Sequence, residues 1–173
     1  HPKHWPTKRP AVYEEYSQRL ALFANWLLDR GHTLLLFRSS GADRIAAADL
    51  KARLLDLAGP GAGKRILEPE IATVEQFFTE VAAADYIVAS RLHGVLMSHM
   101  LGKPVLAISF DRKVDAHMEL MAQAQYRIDI NQFQAGDLIE RFGALANNAP
   151  AERKTITDCI ARFRAQLDTQ YDT

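Results

Sequence analysis

The chain reads as an α/β protein, a Rossmann-like parallel sheet with helices on both faces, and three observations predict it. Short apolar runs alternate with amphipathic segments of ten or more residues. Those runs are near-continuous, as strands buried on both faces are, instead of alternating with polar residues. Several end in polar turns carrying Ser, Arg, Asp or Gly, the punctuation between a strand and the next helix. At 173 residues there is room for one such domain with a real core, and not for two large ones. A single domain over 1–173 is therefore expected, with 151–170 as its closing helix.

The elements follow in order. His1 to Pro10, with three prolines and two histidines, is irregular. From Tyr13 to Arg30, Tyr16, Leu20, Phe23 and Leu27 form one helical stripe, and Gly31 supplies the stop. Thr33–Phe37 is a short apolar strand. In the turn Arg38–Asp43, Asp43 is placed to cap a helix running to about Leu57. A loop at Gly59–Gly63, a strand at Arg65–Leu67 and the turn Glu68-Pro69-Glu70 lead to a helix at Thr73–Ala83, with Thr73 as its cap. Then come a strand at Tyr86–Ala89, a helix at Leu92–Leu101 closed by Gly102, and a strand at Val105–Phe110. A helical segment at Lys113–Gln123, a strand at Tyr126–Ile130 and helices at Asp137–Leu145 and Ala151–Leu167 complete the chain. No strand precedes the first helix, and the chain starts with His1, so it is expected to be part of a longer protein.

Composition narrows the function. Lys+Arg and Asp+Glu both number 21, so the formal charge is zero, which argues against a nucleic-acid-coating surface. One cysteine, Cys159, excludes an internal disulfide and fits a reducing compartment; as a small apolar side chain on a helix it is read as packing. No run approaches the roughly 20 apolar residues of a membrane span, and the first ten residues do not resemble a signal peptide.

The most informative stretch is Asp85 to Lys113. Its two strands end in the turns Ser90-Arg91-Leu92-His93 and Asp111-Arg112-Lys113, at the same edge of a parallel sheet. Ligands of open α/β sheets bind at that carboxyl edge. Arg91 offers a permanently charged fork for carboxylate or phosphate, beside a helix N-terminus that itself favours anions. His93, in the first turn, has the residue type for proton transfer or phosphate contact. Ser90 is read as the helix N-cap with a hydroxyl near the ligand, and Lys113 as a point charge beside the anion. Arg112, Ser39 in a Ser39-Ser40-Gly41 nest, and Glu68 are further candidates. His99, off the His93 face, is read as packing or surface.

Ser90-x-Leu92-His93, a helix ending Leu101-Gly102-Lys103-Pro104-Val105, and Ser109-Phe110-Asp111-x-Lys113-Val114 resemble the C-terminal half of the polysaccharide pyruvyl transferase family. The resemblance is close from Asp85 to Lys113 and looser over most of the chain. It implies a transferase of cell-surface or exopolysaccharide biosynthesis, moving the pyruvyl group of phosphoenolpyruvate onto a sugar or lipid-linked oligosaccharide, commonly as a ketal across two hydroxyls. With it, His93 and Arg91 are expected to be catalytic and Ser90, Leu92 and Lys113 substrate-binding; Arg112, Ser39 and Glu68 are substrate-binding candidates read from the residues alone. It further implies the C-terminal lobe of a GT-B-like two-lobe enzyme, whose N-terminal lobe supplies much of the acceptor site, so that this region alone is inactive. No cofactor besides the donor substrate is expected, and the location is cytoplasmic or at the inner face of the membrane.

Two motifs lead nowhere. Gly59-Pro60-Gly61-Ala62-Gly63-Lys64 resembles a P-loop but follows a helix, has Ala58 where a Gly is needed, and has Arg65 where Ser or Thr must hold magnesium. His1, His4 and Trp5 lack the spacing of a metal site, and no catalytic metal is expected. The alternatives are the nucleotide-sugar lobe of a GT-B glycosyltransferase, with Glu68 or Glu70 gripping a ribose, and a non-catalytic Rossmann-like ligand-binding module.

Overall fold

The computed structural model describes residues 10–37 and 44–171. The irregular N-terminal segment up to residue 9, the Ser39-Ser40-Gly41 nest and the Asp43 cap lie outside the described residues. Among the described residues, seven α-helices and five short strands follow one another: α1 (Pro10–Asp29), β1 (Leu34–Leu35), α2 (Arg44–Ala58), β2 (Ile66–Leu67), α3 (Val74–Ala83), β3 (Ile87–Ala89), α4 (Leu92–Met100), β4 (Val105–Ser109), α5 (Arg112–Leu120), β5 (Arg127–Asp129), α6 (Ala135–Asn147) and α7 (Ala149–Tyr171). Among the described residues, no helix is long and apolar enough to cross a membrane.

The chain divides into two compact units, one of the residues up to Glu80 with Ile130–Glu140, the other of Val81–Asp129 with Arg141–Thr173. The mixed α/β class is as the sequence predicts. The single parallel sheet is not: the strands form two separate parallel ladders, β1-β2 and β3-β4-β5. The strands of the first are only two residues long, and Leu67 is 46% exposed. Glu68 and Pro69 follow at once, and a proline has no N–H to offer a further strand. Leu34 and Leu35, expected to be buried on both faces, are half-buried.

In the first unit, α1 ends as its sequence directs. The Gly31 N–H donates to Leu28 O (3.0 Å) and the His32 N–H to Leu27 O (3.1 Å), with Gly31 at φ +85°. That pair of bonds satisfies carbonyls the helix leaves open, and the left-handed residue it needs is cheapest as glycine. Ala24, Leu28, Leu54, Ala62 and Ile66 bring α1, α2 and β2 onto one apolar core. The Tyr13 hydroxyl donates to Asp49 (2.7 Å); burial, then that carboxylate, push its pKa up to about 12. α3 starts on a reciprocal cap: Thr73 Oγ1 accepts the Gln76 N–H (3.2 Å), while Gln76 Oε1 accepts the N–H groups of Thr73 (3.2 Å) and Ala72 (2.8 Å). The stretch Pro60–Arg65 is a 3-10 turn between α2 and β2, consistent with its rejection as a P-loop.

In the second unit the strand order follows the sequence, β3-β4-β5, all parallel. β4 lies in the middle and all five of its side chains are buried. Fully burying a residue such as Leu106 or Ile108 contributes about 1.5–3 kcal/mol, so this strand anchors whatever stands at its end. α4 connects β3 to β4, and α5 connects β4 to β5. α7 adds Ile156 and Cys159, packed with Met121. Cys159 is buried, in keeping with its reading as a packing residue. Lys103, of the Gly102-Lys103-Pro104 stretch, has a structural duty: its Nζ donates to the carbonyls of Ala82 (2.5 Å) and Ala84 (2.7 Å) at the end of α3.

Candidate functional site

Strand register decides what meets at the edge of the second unit. Ile87, Val88 and Ala89 of β3 pair with Val105, Leu106 and Ala107 of β4, and Ser109 pairs with Asp129 of β5. The chain leaves β3 through Ser90 and Arg91 into α4, and leaves β4 through Phe110 and Asp111 into α5. Adjacent parallel strands thus deliver Ser90–His93 and Asp111–Lys113 to one edge, as the sequence predicts.

Arg91 is half-buried and is itself the N-cap residue of α4, in an extended conformation (φ −102°, ψ 140°). This corrects the reading of Ser90 as the cap. The Arg91 side chain makes no cap hydrogen bond to α4. Ser90 and Leu92 are half-buried, and His93, in the first turn, is exposed. Gly94 permits a close approach of that turn to β3: a Cβ there would lie 3.4 Å from the Cβ of Ala89. The far end of α4 closes on Gly102 (φ +67°), with its N–H on His99 O (2.8 Å) and the Lys103 N–H on Ser98 O (3.0 Å).

α5 is capped by Asp111, whose Oδ1 accepts the Lys113 N–H (2.9 Å). Arg112 and Lys113 are exposed. Behind them, Ser109 Oγ donates to Asp115 Oδ1 (2.5 Å), and Arg127 Nη1 reaches the same oxygen (3.1 Å), with Glu119 Oε1 farther off at 3.8 Å. The first turn of α5 is therefore fastened to the ends of both β4 and β5.

Glu68 belongs to the first unit, where its carboxylate takes the Lys51 Nζ at 2.9 Å. Ser39 lies outside the described residues. Among the described residues, no group of three or more His, Cys, Asp or Glu side chains is placed to hold a metal ion.

A polar pair between α4 and α5 leaves no sign in the sequence reading. His99 of α4 is 1% exposed, and its Nδ1 lies 3.0 Å from Nε2 of His117 on α5, the rings stacked at 5.1 Å. His99 Nε2 has no hydrogen-bond partner. A buried N–H without an acceptor is costly, so the His99 proton belongs on Nδ1, donating to His117. Burial, then the neighbouring His117, lower the His99 pKa to about 3; burial also lowers that of His117. Both imidazoles are thus held neutral between the two helices that carry the edge residues. The reading of His99 as packing agrees with its burial; its partner, 18 residues away, leaves no signal in the local sequence.

A family model described as polysaccharide pyruvyl transferase matches residues 6–112, more than half of the chain. No curated protein and no solved structure matches it.

Proposed function

The chain belongs to the polysaccharide pyruvyl transferase family, and on that premise we propose that its second unit binds phosphoenolpyruvate and presents it to a sugar hydroxyl. The observation that carries the reading is the meeting of Ser90–His93 and Arg112–Lys113 at the ends of two adjacent parallel strands. Phosphoenolpyruvate carries a carboxylate and a phosphate, and an edge with two arginines, a lysine and a helix N-terminus matches both anions.

In this reading Arg91 grips one anionic group with its forked guanidinium, and Lys113 and Arg112 balance the other. Ser90 and the Leu92 backbone line the same turn. Ketal formation adds two sugar oxygens to C2 of the enol phosphate, delivers one hydroxyl proton to the methylene carbon, and releases phosphate with the other. His93 is the group that moves a proton in this sequence, as imidazole can in either direction. Exposure suits that role, because the ring must reach a bound substrate. The acceptor is a polysaccharide or oligosaccharide sugar. The finer architecture proposed is a Rossmann-like donor lobe of a GT-B-like enzyme, in which a partner lobe holds the acceptor in register and supplies much of the rate through positioning. The location proposed is the cytoplasm or the inner membrane face.

Calorimetric titration with phosphoenolpyruvate, and with a UDP-sugar as control, tests the reading. Phosphoenolpyruvate should bind, and Arg91→Ala should abolish most of the signal. Binding of the UDP-sugar alone would identify a nucleotide-sugar lobe instead, and binding of neither would overturn the donor-site assignment.

A further inference from the structure

The first turn of α5 holds an electrostatic conflict. Arg112 and Lys113 would draw an anion to it, yet Asp111 and Asp115 stand in the same turn. Asp111 is engaged as the cap, accepting the Lys113 N–H. Asp115 is not a cap, and an uncompensated carboxylate there would repel an anionic substrate.

The structure shows where that carboxylate goes. Ser109, only 4% exposed, donates its hydroxyl to Asp115 Oδ1 at 2.5 Å, the short distance of a bond to an ionised acceptor. Arg127, on the neighbouring strand β5, brings Nη1 to 3.1 Å of the same oxygen. The second carboxylate near Arg127, Glu119, lies at 3.8 Å, is largely exposed and sits one turn farther down α5. The principal neutralising partner of Asp115 is therefore Arg127, and its anchor is Ser109.

We infer that Arg127 is a positioning residue of the donor site: by holding and neutralising Asp115 it leaves Arg112 and Lys113 available to an anionic substrate. It acts through Asp115, with no contact to the substrate. This inference rests on the donor-site reading above, and deepens it by adding a residue outside the 6–112 family match.

Phosphoenolpyruvate affinity is measured for the wild type, Arg127→Ala, Asp115→Asn and the double variant, at low and at 0.5 M salt, with melting curves alongside. Arg127→Ala should weaken binding about three- to tenfold, the scale of one partly exposed charge a few ångströms away. Asp115→Asn should bind as well as the wild type or better. The double variant should return to the wild-type level, because the repelling charge is gone, and the Arg127→Ala defect should shrink in high salt. A defect that persists in the double variant makes Arg127 a structural residue and overturns the inference, as does unchanged affinity in Arg127→Ala. Failure of the wild type to bind removes the donor-site reading itself, and this inference with it, a result distinct from either.

Discussion

Lowering the pH from 8 to 5 should remove about 2 kcal/mol of folding stability through His99 alone. The imidazole is buried against His117 with its Nε2 unpartnered, and its native pKa is about 3 against an ordinary 6.5. A depressed native pKa means that the folded state favours the neutral ring. The stability it contributes is complete above pH 6.5 and is lost as pH falls from there toward 3. At pH 5 an unfolded chain has protonated nearly all of this histidine, whereas the native protein has protonated about 1% of it. Because pH 5 lies well above 3, the difference is set by the 1.5 units separating it from the ordinary value, at 1.36 kcal/mol per unit. His117, shifted in the same direction, adds to the loss. Urea unfolding followed by far-ultraviolet circular dichroism at pH 8 and pH 5 gives the total loss, from which a variant isolates the His99 share. Both described tryptophan-bearing and tryptophan-free units contain helix, so the helical signal reports on each. His99→Leu is the control: it should be less stable at pH 8, with one hydrogen bond gone, yet lose about 2 kcal/mol less on acidification. The same pH dependence in wild type and His99→Leu would refute the argument, and a protonation midpoint of the native His99 ring near 6.5 by nuclear magnetic resonance would do so independently.

Three further outcomes are expected. Arg91→Ala should weaken phosphoenolpyruvate binding by about one to two decades, for the loss of a charge-assisted contact of about 1.5–3 kcal/mol, while the melting temperature barely moves; a large stability loss with unchanged affinity would make Arg91 structural. His93→Ala, assayed in the complete enzyme with its sugar acceptor, should lower turnover by about 10²–10⁴-fold, and full activity would remove His93 from the mechanism. Ala122→Gly should raise stability by about 0.5–1 kcal/mol in chemical denaturation, because Ala122 sits at φ +56° where α5 ends; a neutral or destabilising result would show that the left-handed turn carries no strain.

The elements most legible in the sequence are those whose ends carry their own chemistry. Gly31 and Gly102 announce two helix stops, and Thr73 with Gln76 announces a start, because each makes its bonds within a few residues. The turn Ser90–His93 and the turn Asp111–Lys113 were placed on one edge from the apolar runs before them, since a buried parallel strand must be left at its carboxyl end. The sequence suggests Gln123 as the end of α5, whereas the helix stops at Leu120, and the reason is specific. The Ala122 N–H donates to Glu119 O and the Gln123 N–H to Met118 O, the same closing bonds as at Gly31 and Gly102, but an alanine occupies the left-handed position and gives no glycine signal. Ser90 has the residue type of an N-cap, whereas the backbone turns one residue later, at Arg91. Two ladders in place of one sheet, the His99–His117 pair and the Asp115–Arg127 bridge all depend on which elements pack side by side, and no local pattern encodes that.

The uninterrupted order β3-β4-β5 has a consequence for how such a site can change. Neighbouring parallel strands run about 5 Å apart, so two adjacent strand-to-helix seams span a distance comparable to a three-carbon acid phosphate. The side chains on those seams are half-buried or exposed, while the middle strand beneath them is wholly interior. Substitutions at the rim can therefore retune charge and reach without disturbing the packing that fixes the spacing. Alterations to β4 would move both seams at once. Rim charge and frame packing thus fall on separate residues, so the rim can diverge while its frame stays the same.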